Sequence, residues 1–337
     1  MIMKRCFELI AFAAIVLAMT SCSTGIKKYA WVLGTASPEN TVTGIFAEAF
    51  AANVDSLSDG RLKVRVYHNS LLGGDTELIE SCQCGDIPFV VQNTAPEVSY
   101  MKRLCLFDLP CVFDSLDALH KVLDSDGFMD RVNQIYNDAG FSLLAMADQN
   151  FRVMTSNRMI SDMSGFKGIK IRTMENSYHM DFWNAVGASP TPMAFAELYV
   201  GLEQHTVDAQ ENPYEVICSN AFYEVQDYVI DTRHLPHLLA LVVNKEFLDG
   251  LDATDRSIVE NAAAIARDTA RKQSLMRAQS RIDEIVSSGT AIVPVSAEMR
   301  KQMREASSAL YDKIRRVVDD DELFNSYISP QKNSRGD

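Results

Sequence analysis

Beyond the 11 apolar residues from Leu9 to Met19, nothing in the chain approaches a membrane-spanning helix, which needs about 20 consecutive apolar residues. No glycine-rich phosphate loop with its lysine occurs, and no Gly-x-Gly-x-x-Gly turn, Gly-x-Ser-x-Gly elbow or His-Glu-x-x-His helix. The familiar sequence bases for cradling a nucleotide, positioning a serine nucleophile or holding a catalytic zinc are therefore missing. Basic charge is also scarce. With 32 Lys and Arg against 45 Asp and Glu, the net charge of -13 argues against nucleic acid as a partner, since phosphate binding needs a concentrated cationic surface. A small anion is not excluded by that balance, because two arginines can dominate a cleft inside an acidic protein. Repeats and low-complexity tracts are absent.

Cysteine and histidine are sparse and poorly placed for metal. Cys82 and Cys84 are separated by one residue, which is neither a redox nor a zinc-knuckle spacing. With Cys6 in the leader and Cys22 set apart, five cysteines remain, an odd number that cannot all pair. Buried thiols are expected, with one disulfide left open. His234 and His237 have the only metal-like spacing, but Pro236 disfavours the helix that would align them, so exposed loop histidines are expected. No metal and no cofactor are expected.

What is present is ample core: 337 residues at 47% apolar and 23% charged side chains make a folded chain of about two domains. Lys4 and Arg5 ahead of Leu9 to Met19 read as a secretory leader. Thr20 and Ser21 before Cys22 resemble a bacterial lipoprotein signal, which would make Cys22 the lipidated N-terminus. The leader then spans 1–21 and a linker 22–29, and the polar tail 330–337 is expected to fray.

Strand and helix patterns alternate, the signature of an α/β protein. Ala30–Gly34, Arg61–Tyr67 and Ile87–Val91 read as strands, with Thr41–Ser56 and Gly73–Cys84 as helices between them. Further strands are expected at Phe141–Ala145, Arg152–Thr155, Gly168–Arg172 and Leu238–Val243, and helices at Asn176–Val186 and Phe195–Gln204. Asp255 to Ser288 contains no Gly or Pro and reads as one helix of 34 residues. At 1.5 Å per residue it is roughly 50 Å long, enough to cross two domains.

Arg172 ends the alternating run Ile169-Lys170-Ile171-Arg172, at the carboxyl end of a strand where α/β proteins hold ligands. A guanidinium presents a planar fork that matches a carboxylate. Arg152 opens another strand, and the pair together would make a carboxylate site; a single strand-end arginine is more commonly a surface ion pair. In Gln210-Glu211-Asn212-Pro213, Asn212 before proline predicts a helix N-cap, and its amide could also donate to a ligand oxygen.

These segments together resemble the substrate-binding proteins of tripartite ATP-independent periplasmic (TRAP) transporters, the dicarboxylate-binding subunit family, over about residues 30 to 325. The markers are Leu71-Leu72-Gly73-Gly74-Asp75, Leu109-Pro110 with Val112-Phe113, Phe166 to Arg172, Gly187 to Met193, Glu197-Leu198-Tyr199, Val207 to Pro213 and Phe222 to Gln226. Their order and spacing make the set specific. The sequence departs from the family pattern at Asn150, where glycine is common before the aromatic, and at Cys111, where phenylalanine is usual.

The resemblance implies a two-lobed, Venus-flytrap periplasmic-binding-protein fold with hinge strands and a long helix across both lobes. Lobe 1 would comprise 30–147 plus 238–277, and lobe 2 148–237 plus 278–329. It implies that Arg172 clamps a ligand carboxylate, that Arg152 and Asn212 face the ligand, and that Phe195 packs against it. Thr35, Gln92 and Asn93 would lie on strand-end loops of the first lobe that set specificity, and Asp75 and Glu77 could reach the cleft edge or simply complement a helix N-terminus. The function implied is that of an extracytoplasmic receptor delivering a small organic acid to two integral membrane permease subunits driven by an ion gradient. The chain would touch the membrane only through a lipid anchor. Polar, uncharged Thr35, Gln92 and Asn93, with no spare arginine near them, favour a sugar acid such as a uronate or keto-gulonate over a C4-dicarboxylate; a 2-oxo acid or sialate stays open. A ligand-sensing lipoprotein and a periplasmic enzyme acting on an acidic sugar are the readings from other classes.

Overall fold

The computed structural model describes residues 30–125 and 127–328. The leader and Cys22 therefore lie outside the described residues, as does the tail. The chain opens β1 (Trp31–Gly34), α1 (Val42–Leu57), β2 (Val64–Tyr67), α2 (Asp75–Cys84), β3 (Phe89–Asn93), with β2 and β3 pairing parallel to either side of β1. Short helices α3 (Thr94–Glu97), α4 (Leu116–Leu123) and α5 (Phe128–Asp138) lead to β4 (Phe141–Ser156). The second half holds β5 (Lys170–Thr173), α6 (Ser177–Ala185), β6 (Ser189–Pro192), α7 (Leu198–Glu203), β7 (Ala209–Asn212) and α8 (Tyr214–Ser219). After β8 (Tyr228–Asn244) and α9 (Lys245–Asp249) come α10 (Ala253–Ser287), β9 (Ala291–Pro294) and three C-terminal helices, α11 (Ala297–Ala306), α12 (Ser308–Val318) and α13 (Asp321–Ile328).

The strands form one sheet in the order β2-β1-β3-β8-β4-β7-β5-β6, with β9 beside β8. β6 can carry Pro190 and Pro192 because it is an edge strand, where a missing N–H costs no ladder bond. Each lobe has a mainly parallel half-sheet, and the two halves are joined by β4 and β8, which pair antiparallel along their length. These hinge strands are 16 and 17 residues long, where the sequence pattern predicted only the pieces Phe141–Ala145 and Arg152–Thr155 of β4 and Leu238–Val243 of β8. The alternation is broken in the middle by buried polar side chains, among them Asp148, Gln149, Arg152, His234 and His237. The pairing slips between Asp148 and Phe151 and again between Arg152 and Met154, so the strands bulge where the lobes meet.

Both histidines of the metal-like spacing are buried in β8, contrary to the expectation of an exposed loop. The Asn212 cap is also corrected. Asn212 is the last residue of β7, paired with Val153 of β4, and Pro213 takes the N-cap position of α8. Phe195–Glu197 form a 3-10 turn ahead of α7. Cys82, Cys105, Cys111 and Cys218 are buried thiols and Cys84 is exposed, none of them in a disulfide.

α10 runs for 35 residues from an Asp252 N-cap whose side chain accepts from Asp255 N at 2.9 Å. Its small side chains Ala262, Ala263, Ala266 and Ala270 are buried with Phe46 and Phe50 of α1 and with Leu239 and Leu241 of β8. Toward its other end, Ile285 is buried with Val153, Leu198 and Phe222 of the second lobe. One helix thus contributes to both cores.

Candidate functional site

Arg172 sits on β5, paired with Thr191 of β6 and Gln210 of β7, and is 1% exposed. Its Nε and Nη2 donate to the Met193 carbonyl at 2.9 and 2.7 Å, which fixes the plane of the guanidinium. Nη1 has no hydrogen-bond partner. It is a buried, charged donor held ready, in a cavity of about 220 Å³ lined also by Asp75, Thr76, Glu77, Glu175 and Phe195. Burial lowers the Arg172 pKa to about 10, against the pull of Glu211, so the group stays cationic at neutral pH.

The same cavity is lined by acids. Asp75 and Glu77 occupy the first turn of α2. Gly73 precedes them at φ +122, and a Cβ there would meet Glu77 Cβ at 2.7 Å, which accounts for the glycine in Leu71-Leu72-Gly73-Gly74. Burial raises the Asp75 pKa to about 6 even though Arg172 pulls it down. Thr76 Oγ1 donates to Glu175 Oε2 at 3.3 Å, and both residues line the cavity. Phe195 packs its ring 6.2 Å from that of Phe222 and gives the cavity an apolar wall.

Arg152, Asn212, Gln92, Asn93 and Thr35 do not line this cavity. Arg152 is 1% exposed, and its guanidinium is taken up inside the hinge. It pairs with both carboxylate oxygens of Glu211, donates to His237 Nδ1, and reaches Asn212 Oδ1 at 3.1 Å. Asn212 spends its Nδ2 on Gln210 Oε1 at 2.7 Å. Asn93 caps α3 by accepting from Ala95 N and donates to Leu238 O, both at 2.9 Å. Thr35 is buried in a turn, accepting from Ser37 N at 3.3 Å. Gln92 is buried beside Glu97, near enough to draw that carboxyl's pKa down, although neither amide atom makes a hydrogen bond of full geometry.

The centre of the hinge is a charge cluster that the sequence reading did not assemble. Glu211 is fully buried, which alone would keep it neutral. Arg152, with His179 and His234, holds its pKa well below the usual range. His234 Nε2 lies 3.1 Å from Glu211 Oε2 and His179 Nδ1 3.6 Å from Oε1. Burial would lower the His179 pKa, but Asp108, 2.9 Å from Nε2, and Glu211 hold it at about 9, so His179 is a cation at neutral pH. Burial lowers His234 to about 4, leaving it neutral despite its bond to Glu211. His237 is pushed well below its ordinary value by burial and by the charge of Arg152. The signal available in sequence was Gln210-Glu211-Asn212 inside a strand, since a buried carboxylate requires cations near it. Among the described residues, no group of three or more His, Cys, Asp and Glu side chains could hold a metal ion, and no helix is long and apolar enough to cross a membrane.

Two half-sheets joined by antiparallel hinge strands, with a buried arginine aimed into a cavity that both lobes line, define a two-lobed solute-binding receptor. Residues 33–316 match bacterial extracellular solute-binding protein, family 7, and the chain belongs to that family, as the solute receptor of a TRAP transporter. A sugar acid binding protein from Advenella mimigardefordensis, solved with galactonate, is 29% identical and superposes at a TM-score of 0.86, over 92% of this chain and 99% of its own. A TRAP periplasmic solute-binding protein from Polaromonas sp. JS666, solved with D-erythronate, is also 29% identical at a TM-score of 0.83, over 91% and 99%. The ectoine/5-hydroxyectoine-binding periplasmic protein of Ruegeria pomeroyi is 28% identical over 93% of this chain and 92% of its own.

Proposed function

We propose that this receptor takes a hydroxylated monocarboxylate, a sugar acid such as an aldonate, a uronate or a keto-gulonate, and delivers it unchanged to its permease. The observation that carries the reading is the unpartnered Nη1 of buried Arg172, in a cavity lined also by Asp75, Glu77 and Glu175. A carboxylate satisfies the arginine, while the carboxylates lining the cavity accept hydrogen bonds from hydroxyls and repel a second carboxylate. A C4-dicarboxylate would bring two negative groups into a cavity with one free cation edge. Two of the solved relatives described above hold aldonates, which supports the same reading. An amidinium such as that of an ectoine would also suit the acids, and ectoines therefore join the ligands to be compared.

Closure is the motion the receptor performs, pivoting on the bulges of β4 and β8, with lobe 1 as 30–147 plus 238–277 and lobe 2 as 148–237 plus 278–329. Contacts from both lobes favour the closed state, and that difference shifts the population. The protein is not an enzyme in this reading, and the ligand is recovered intact. Cys22 carries a lipid that tethers the chain to a membrane: Cys22→Ala moves the protein to the soluble fraction, and an unchanged distribution after fractionation would remove the anchor.

A thermal-shift screen tests the ligand class, on protein unfolded and refolded to strip bound solute, against aldonates, uronates, 2-oxo acids, sialate, ectoine and succinate. A sugar acid at 100 times its Kd should stabilise the fold by about 2.7 kcal/mol. Succinate should give little shift. Stabilisation by succinate at lower concentration than by any sugar acid would sink the reading.

A further inference from the structure

A second cavity, of about 200 Å³, lies where the hinge strands meet α1, α8 and α10, and it shares no lining residue with the Arg172 cavity. Its polar wall comes from the hinge irregularities themselves. Gln149 and Asn150 form the bulge of β4 opposite His237, and Arg233 lies in the stretch of β8 between Ile230 and Leu235, where the pairing slips again. Asn150 and Arg233 both hold left-handed backbone, at φ +66 and +44, a conformation uncommon for non-glycine residues. Gln149 is 1% exposed, and its Oε1 accepts from Thr43 Oγ1 at 2.9 Å, which orients the amide and leaves Nε2 without a partner. A buried amide donor in that state calls for an acceptor.

The charges around it point the same way. The Arg233 guanidinium lies 4.9 Å over the Phe151 ring. Val42, the first residue of α1, lines the cavity, so the positive end of a 16-residue helix with no acid in its first turn opens there. Of the two acids of the wall, Glu215 is offset by Arg277 and Arg281 at 2.6 and 2.9 Å, and Asp231 accepts from the Tyr214 hydroxyl at 3.1 Å. Val42, Ala278 and Ile282 supply an apolar side.

We propose that this hinge cavity is a second binding site, for a small monocarboxylate whose oxygens lie between Gln149 Nε2 and the Arg233 guanidinium and whose short alkyl part rests on Val42, Ala278 and Ile282. Its walls belong to α1 on one side of the hinge and α8 on the other, with α10 spanning both. A ligand held more tightly in one lobe arrangement than in the other would couple to lobe movement and, by reciprocity, to affinity in the Arg172 cavity.

Sodium butyrate is the probe, and Arg172→Ala protein, with Arg172→Lys as the second background, keeps the main cavity from answering for the hinge. The Gln149 side-chain amide, identified as the ¹⁵N–¹H pair missing in Gln149→Leu, should shift saturably with butyrate. Calorimetry on Arg233→Gln and on Gln149→Leu should each show butyrate binding weakened about tenfold or more. A Gln149 amide that does not move in either background, or moves without saturating, overturns the site. So does butyrate affinity that is unchanged in both folded hinge variants.

Discussion

Arg172 and Glu97 show how burial sets the state of a single side chain in opposite ways. Arg172 keeps its charge because Met193 anchors one edge and neighbouring acids offset the loss of water. Glu97 is fully buried, and its Oε2 accepts from the Tyr136 hydroxyl at 2.6 Å. Burial raises its pKa from the ordinary 4.5 to about 8, with Tyr136 and Gln92 pulling weakly the other way. The unfolded chain ionises near 4.5 while the folded one holds its proton, so stability from this group is full below 4.5 and falls as pH rises to about 8. Glu97→Gln should remove that fall: in thermal melts the variant gains on the wild type more at pH 8 than at pH 5, and an equal difference at both would show that Glu97 is not the source. Residue by residue, the sequence offered Arg172 through a strand-end position and a family motif. It could not offer Glu211 with His179, His234 and Arg152, because that cluster joins residues from three strands and a helix whose neighbourhood only the fold creates.

At the scale of the element, what was legible followed from uninterrupted patterns. α10 was readable because nothing in 34 residues breaks a helix and because Gly250 and Gly289 bound it. β4 and β8 were readable only in pieces, since the buried Asp148, Gln149, Arg152, His234 and His237 interrupt the apolar run that marks a buried strand. Small side chains on one face let α10 approach α1 and β4 closely, and Ala266 is fully buried there. Ala266→Leu should therefore overpack the first lobe and cost about 1 to 3 kcal/mol. Urea denaturation measures it; a variant as stable as the wild type would mean the helix contact is looser than its burial indicates.

As a whole molecule, the protein is two α/β lobes sharing one sheet, with a cavity that takes its cation from β5 of one lobe and its acids from α2 of the other and the loop after β5. Ligand contacts to both are what would hold the lobes together, so the account depends on the arginine being the anchor. Titration calorimetry of the best sugar acid from the thermal screen, on wild type and on Arg172→Ala, tests this most directly. Truncation leaves a carboxylate in a low-dielectric cavity facing three acids, and the loss should be about 3 to 5 kcal/mol, roughly 10²- to 10⁴-fold in Kd. A variant that binds the same acid with wild-type affinity would contradict the carboxylate clamp and with it the reading of the cavity.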